Sequence, residues 1–193
     1  MGQKGDAKRQ QILDTAKQML LEGGIDAFVL RDVAERLGIT HGNLQYYFRT
    51  KQDLLVAIFD LEIAKYAGSL QDAVSATTTR RGRLGAIIDA GLKELRSPDT
   101  ALWRMVMSMV DHSPDMAALL KKENDLYRSV VARELKQIAP HLSTQRRKQI
   151  ARIIQAILDG LGIQFVHEDP DSAEMRALES EIKAAILALV EAE

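Results

Sequence analysis

The sequence predicts an all-α fold of about nine helices, on three observations. Apolar residues recur at i, i+3, i+4 and i+7 through most of the chain. Capping residues and prolines stand at the start of successive apolar runs. No stretch alternates apolar and polar residues or offers an Asn-Gly hairpin, so strand signals are absent.

Each element has its own justification. Over residues 8–22, Ile12, Leu13, Ala16, Met19 and Leu20 share one helix face, and Gly23-Gly24 stops the helix. Ile25, Phe28 and Leu30 lead into a short helix over residues 31–37, with Val33, Ala34 and Leu37 inward and Gly38 closing it. Thr40 is a good N-cap for a helix over residues 41–47. Thr50, with Asp53 three residues on in capping-box spacing, starts a helix from Lys51 to about Ala76. Leu84, Ile87, Ile88, Gly91, Leu92 and Leu95 continue the helical spacing. Ser97-Pro98 and Ser113-Pro114 each read as an N-cap followed by proline at the first helical position. The helix from Pro114 ends before Pro140, and Ser143 caps another to about His167. Pro170 blocks continuation, and Asp171 with Glu174 caps a last helix to about Ala192.

Composition removes several classes of function. The 193 residues include no cysteine, which excludes a disulfide scaffold, a thiol nucleophile and a Cys-ligated metal site. No phosphate-binding loop, dinucleotide fingerprint, nucleophile elbow or HExxH occurs. His41, His112, His141 and His167 lie far apart. No metal, no cofactor and no enzymatic activity is expected. Glu123 and Asp125 read as a solvated helix face. With no secretory apolar segment and no run of about 18 apolar residues, a soluble cytoplasmic chain without membrane contact is expected. The 26 basic and 27 acidic residues nearly cancel, but residues 1–51 carry +2 and the remainder −3. Lys4 to Arg9 reads as a basic arm.

The chemistry lies in residues 30–51, LRDVAERLGITHGNLQYYFRTK. Two short helices joined by a glycine-led turn form a helix-turn-helix at about residues 31–50. Ala34 is small enough for close helix crossing, and Gly38 stands where positive φ is needed. Thr40, His41, Asn43, Gln45 and Tyr46 are left outward on the second helix. They are polar and include no carboxylate, which suits a major groove. A lysine in a first helical turn is slightly disfavoured by the helix dipole, and a phosphate held jointly with that N-terminus accounts for Lys51. An ordinary helical hairpin has the same spacing.

Residues 9–55 resemble the N-terminal domain of the TetR family of bacterial transcriptional regulators. The resemblance rests on Ile12, Ala16, Gly24, Ala34, Gly38, Gly42, Leu44, Phe48, Lys51, Leu54 and Leu55 in order. Gln45 and Arg49 depart from the family's frequent Tyr and Pro. The resemblance implies a DNA-binding domain over residues 6–66 and a ligand-binding, dimerisation domain over residues 67–193. It carries DNA contacts to Thr40, His41, Asn43, Tyr46, Tyr47 and Lys51, with Leu44 packed inside. A homodimer on a palindromic double-stranded operator, released by a small-molecule effector of unknown identity, is the implied function. A helical sensor or interaction protein without DNA binding, favoured by near-neutral charge and Gln45, is the alternative, as is an activator with the same domains.

Residues 156–165 and the turn and helix after them weakly resemble the C-terminal domain of the betaine-pathway repressor subgroup. Apolar stripes containing Ile153, Ile157 and Leu161, and Leu178, Ile182 and Ile186, either pack within one chain or build a four-helix dimer interface. The resemblance favours the dimer. Residues 100–112, TALWRMVMSMVDH, are apolar nearly all round, as in a core helix or a pocket wall. Trp103, Met105, Met109 and His112, with Tyr127 and Phe165, are the candidate ligand-binding residues.

Overall fold

The periodic apolar runs fold as helices throughout. A computed structural model describes residues 2–164, 166–169 and 171–191. Among the described residues it contains nine helices and no strand: α1 (Gln3–Gly23), α2 (Leu30–Arg36), α3 (His41–Tyr47), α4 (Lys51–Ser75), α5 (Arg80–Leu95), α6 (Thr100–Met109), α7 (Pro114–Ile138), α8 (Thr144–Gln164) and α9 (Ala173–Glu191).

The ends of the helices follow local chemistry, and three depart from the sequence reading. α1 begins at Gln3 because the Gly2 carbonyl accepts from the amides of Gly5 (2.7 Å) and Asp6 (3.2 Å). The expected basic arm from Lys4 to Arg9 is therefore helical. α6 begins at Thr100 rather than at Pro98. The Ser97 carbonyl accepts from the Thr100 amide at 3.1 Å, and the Thr100 hydroxyl donates to the Glu94 carbonyl at 2.6 Å, so Ser97-Pro98 lies in a turn. α9 is capped by Ser172, whose hydroxyl accepts from the Met175 amide at 3.1 Å, and not by Asp171. Elsewhere the caps read from the sequence hold: Thr40, Ser113 and Ser143 each accept from the amide three residues on. Thr79, which the sequence reading did not single out, caps α5 in the same way. Thr50 and Asp53 exchange two bonds of 3.0 Å.

The chain divides into two compact units, Met1–Ala64 with Ala101–Leu120, and Lys65–Thr100 with Lys121–Glu193. This differs from a single boundary after residue 66, because residues 101–120 belong to the first unit. Leu102, Val106, Met116 and Leu119 are buried there with Ile12, Leu20, Phe28, Leu44, Leu55 and Phe59. The core of the second unit is Leu70, Ile87, Ile88, Val131, Leu135, Ile150, Ile154, Leu158 and Ile186, with their neighbours. Within that unit α5 packs against both α8 and α9. Gly91 of α5 is what lets α8 come close: a Cβ there would stand 2.4 Å from Leu158 Cδ1.

Candidate functional site

The first unit positions α3 through its turn. α2 ends in a Schellman motif: the Ile39 amide donates to the Ala34 carbonyl and the Gly38 amide to the Glu35 carbonyl, each at 3.0 Å. Gly38 has φ 63°, a left-handed conformation that a side chain would strain. Val33, Ala34, Leu44 and Phe48 are buried and fix α2 against α3. Leu44 is packed at 0% exposure, so it presents nothing to a partner.

The opposite face of α3 is open. Thr40, His41, Asn43, Gln45 and Tyr46 are all exposed, Tyr46 at 77%. The Thr40 hydroxyl caps the helix by accepting from the Asn43 amide at 3.1 Å, which leaves the Asn43 side-chain amide outward. Gly42 has open space around it. Tyr47 is half-buried and meets Tyr46 edge-on, ring centroids 5.2 Å apart. It lines a groove of about 620 Å³ with Arg9, Phe48, Asp53, Asp60 and Asp115. Three carboxylates against one guanidinium make that groove unsuited to phosphate.

Lys51 is held more firmly than its sequence position indicates. Its ammonium donates to the Ile25 carbonyl at 2.7 Å and lies 5.8 Å from the Phe28 ring centroid. Arg9, from α1, lies over the Phe48 ring at 5.0 Å. Both cations thus hold their charged groups beside an aromatic ring of the first core.

The candidate ligand residues fall in both units. Trp103, Met105 and Met109 are half-buried, His112 is exposed, and all four fall in the first unit. Tyr127 falls in the second, at 4% exposure, its ring stacked on Tyr66 with centroids 6.2 Å apart. Phe165 lies outside the described residues. The candidate interface residues also divide. Ile153 is exposed, and Ile157, Leu161, Leu178 and Ile182 are half-buried. Ile186 is 1% exposed within its own chain, so it has no surface to offer a second copy.

One residue was misread from sequence. Glu123 does not share the solvated face of exposed Asp125. It sits one turn before Tyr127 on α7, and its Oε2 oxygen is fully enclosed without a hydrogen-bond partner. Its i, i+4 relation to a buried tyrosine was the available signal. No group of three or more His, Asp or Glu side chains among the described residues is placed to hold a metal ion. No described helix is long and apolar enough to cross a membrane.

A helix-turn-helix whose second helix turns an acid-free polar face outward is the architecture of a DNA-binding protein. The comparisons make the class specific. Residues 12–58 match the family model for bacterial regulatory proteins of the tetR family, and residues 80–188 match that for the C-terminal part of BetI-type transcriptional repressors. The HTH-type transcriptional regulator BetI of Burkholderia thailandensis is 25% identical over 163 residues, covering 82% of each chain. A transcriptional regulator from Rhodococcus sp. Rha1 has the same fold at TM-score 0.78 and 19% identity, over 95% of this chain and 96% of that one. A regulator from Saccharomonospora viridis, solved in complex with choline, matches at TM-score 0.78 and 18% identity over 96% of both chains. The chain belongs to the TetR family, with a BetI-type C-terminal part. It is a DNA-binding transcriptional regulator.

Proposed function

We propose that the protein is a homodimeric repressor that reads a palindromic operator with α3 and leaves it when a small molecule binds the second unit. The observation that carries the reading is the outward face of α3. Asn43, Gln45 and His41 offer donors and acceptors to base edges, and Thr40 and Tyr46 reach phosphates. Tyr47 positions Tyr46 through the edge contact. The Lys51 ammonium spends one N–H on Ile25 and keeps two for a backbone phosphate. Two-fold symmetry then sets half-sites about 34–36 Å apart.

The outward sides of α8 and α9 support the dimer. Ile153, Ala156 and Ile163 are exposed on α8, and Ala185 and Ala188 on α9, apolar and mostly small. Together with Ile157, Leu161, Leu178 and Ile182 they suit a four-helix interface. The effector acts only as far as it prefers the released state. The protein works where its operator lies, in the bacterial cytoplasm, and needs no catalytic group.

The test is a salt-titrated binding assay on DNA from the protein's own upstream region. Asn43→Ala weakens specific sites more than random DNA. Lys51→Ala weakens both and lowers the salt slope by about 1. A melting curve run beside it separates the lost phosphate contact from the lost Ile25 bond. If neither variant alters DNA binding, the assignment to α3 is wrong. Sedimentation tests the dimer, and a persistent monomer at micromolar concentration contradicts it.

A further inference from the structure

We propose that one end of the second unit is a further DNA-contacting surface, for the phosphate backbone of a second duplex. α3 lies in the first unit, and the inference does not depend on how α3 reads DNA.

The first observation is how the chain distributes its charge. Basic and acidic residues nearly cancel, 26 against 27, yet two long stretches hold no carboxylate. Between Asp72 and Asp89 the charged residues are Arg80, Arg81 and Arg83. Between Glu134 and Asp159 they are Lys136, Arg146, Arg147, Lys148 and Arg152.

The second observation is that the fold brings these stretches to one end. Arg83, in the first turn of α5, donates from Nη1 to Glu134 Oε2 at 3.0 Å and to Gln137 Oε1 at 3.2 Å, near the end of α7. Arg81 Nη1 lies 3.6 Å from Glu191 Oε1, at the end of α9. Arg133 donates to Gln71, near the end of α4. Residues 139–143 join α7 to α8, and Arg147 reaches back to donate to the Leu142 carbonyl. Eight arginines and lysines thus stand in these turns against three carboxylates, Asp72, Glu134 and Glu191, among the described residues. Glu134 is 2% exposed and already engaged by Arg83 and Arg133. Arg80, Lys136 and Lys148 are exposed and make no hydrogen bond or ion pair with another described residue.

The placement works against helix stability. The start of a helix favours carboxylates and disfavours cations. α5 and α8 have no acid in their first turns, and carry Arg80, Arg81 and Arg83, and Arg146 and Arg147, there instead. The same local rule broken twice on one surface points to an anion supplied from outside.

The occupant follows from what the surface lacks. The exposed large apolar side chains among the described residues are Val29, Tyr46, Ile153, Ile163 and Val166, and none lies in these turns. A membrane takes such side chains into its interface, and a protein partner needs an apolar or aromatic anchor to bury. A single strand needs exposed aromatic rings on which its bases stack. A duplex backbone needs cations spread over a surface, and arginine meets phosphate oxygens two at a time. Duplex DNA is also the polyanion on which this protein works.

The test captures the full chain on an immobilised duplex from its own upstream region. A labelled duplex of random sequence, about 30 base pairs long, then flows over it at about 50 mM salt. The second duplex binds saturably, and its affinity falls steeply as salt rises. The triple variant Arg80→Gln, Lys136→Gln, Lys148→Gln weakens the second duplex about tenfold or more and lowers its salt slope by about 3, while capture on the first changes less than about twofold. Its melting temperature moves by no more than about 3 °C, because the three side chains are exposed and unpartnered. Absence of second-duplex binding at about 10 μM, a triple variant that binds it as the parent does, or tighter binding of polyglutamate or of phosphatidylglycerol vesicles overturns the proposal. Failure of the α3 reading gives a different pattern. Asn43→Ala with Lys51→Ala is then captured on the first duplex as before and the triple variant is not, which leaves this end a DNA surface and removes α3.

Discussion

Replacing Glu123 by Gln examines the enclosed acid through stability rather than binding. In the folded chain its pKa is raised from 4.5 to about 7, by burial first and by Asp159 second, against the pull of Arg128. The groups facing this cluster are Asp159 on α8, Glu94 on α5, Tyr66 on α4, and Tyr127 and Arg128 on α7. For an acid whose pKa is raised by folding, the native state holds a proton that the unfolded chain has released. The associated stability is complete below pH 4.5 and is lost as pH rises through about 7. That gap corresponds to about 3 kcal/mol. Asp159, raised from 3.8 to about 6, adds a second loss at lower pH, and the two are coupled rather than additive. Glutamine keeps the shape and cannot ionise. Urea unfolding at a series of pH values is the assay. The parent chain loses stability between pH 4.5 and about 7, and Glu123→Gln flattens that part of the curve. At about pH 8 the variant is more stable by about 2–3 kcal/mol, or roughly 4–12 °C in melting temperature. Parallel curves for the two proteins, or a variant less stable at the alkaline end, refute the reasoning, since the carboxylate then has a partner or meets water.

Three further substitutions read the scaffold, each by urea unfolding. Gly91→Ala places a methyl 2.4 Å from Leu158 Cδ1, so it destabilises by about 1–3 kcal/mol despite alanine's better helix propensity; trimming Leu158 to Ala in the same chain recovers part of the loss. Thr50→Ala removes the acceptor for the Asp53 amide and half of the capping box at the start of α4, at a cost of about 1 kcal/mol. Leu44→Ala empties the 0%-exposed seat beneath α3 and costs about 2–5 kcal/mol, and DNA affinity falls with it although Leu44 touches no DNA.

The helical character, the α2–α3 turn and the exposed face of α3 were legible because local chemistry decides them. Gly38 must adopt positive φ, Thr40 and Thr50 must cap, and Leu44 must turn inward once its neighbours are polar. What sequence could not show depends on partners far along the chain. Nothing near Lys51 announces that its ammonium reaches the Ile25 carbonyl. Ser97-Pro98 has the form of a cap, yet Thr100 wins the turn by reaching back to Glu94. The stripe on α9 gives no sign that Ile186 is used within the chain while Ala185 beside it is exposed. Glu123 looked solvated because its neighbour Asp125 is, and its enclosure comes from packing that no short window contains.

The seating of residues 101–120 in the first unit bears on how such regulators can be recombined. A chimera cut after residue 66 keeps every residue of α1, α2 and α3 and loses Leu102, Val106, Met116 and Leu119, all 7% exposed or less. Four such side chains are worth about 6–12 kcal/mol of burial, comparable with the whole stability of a domain. The transplantable reading head is therefore a discontinuous part. Swapping operators between relatives requires two grafts, or a donor whose own segment fills the vacated seats.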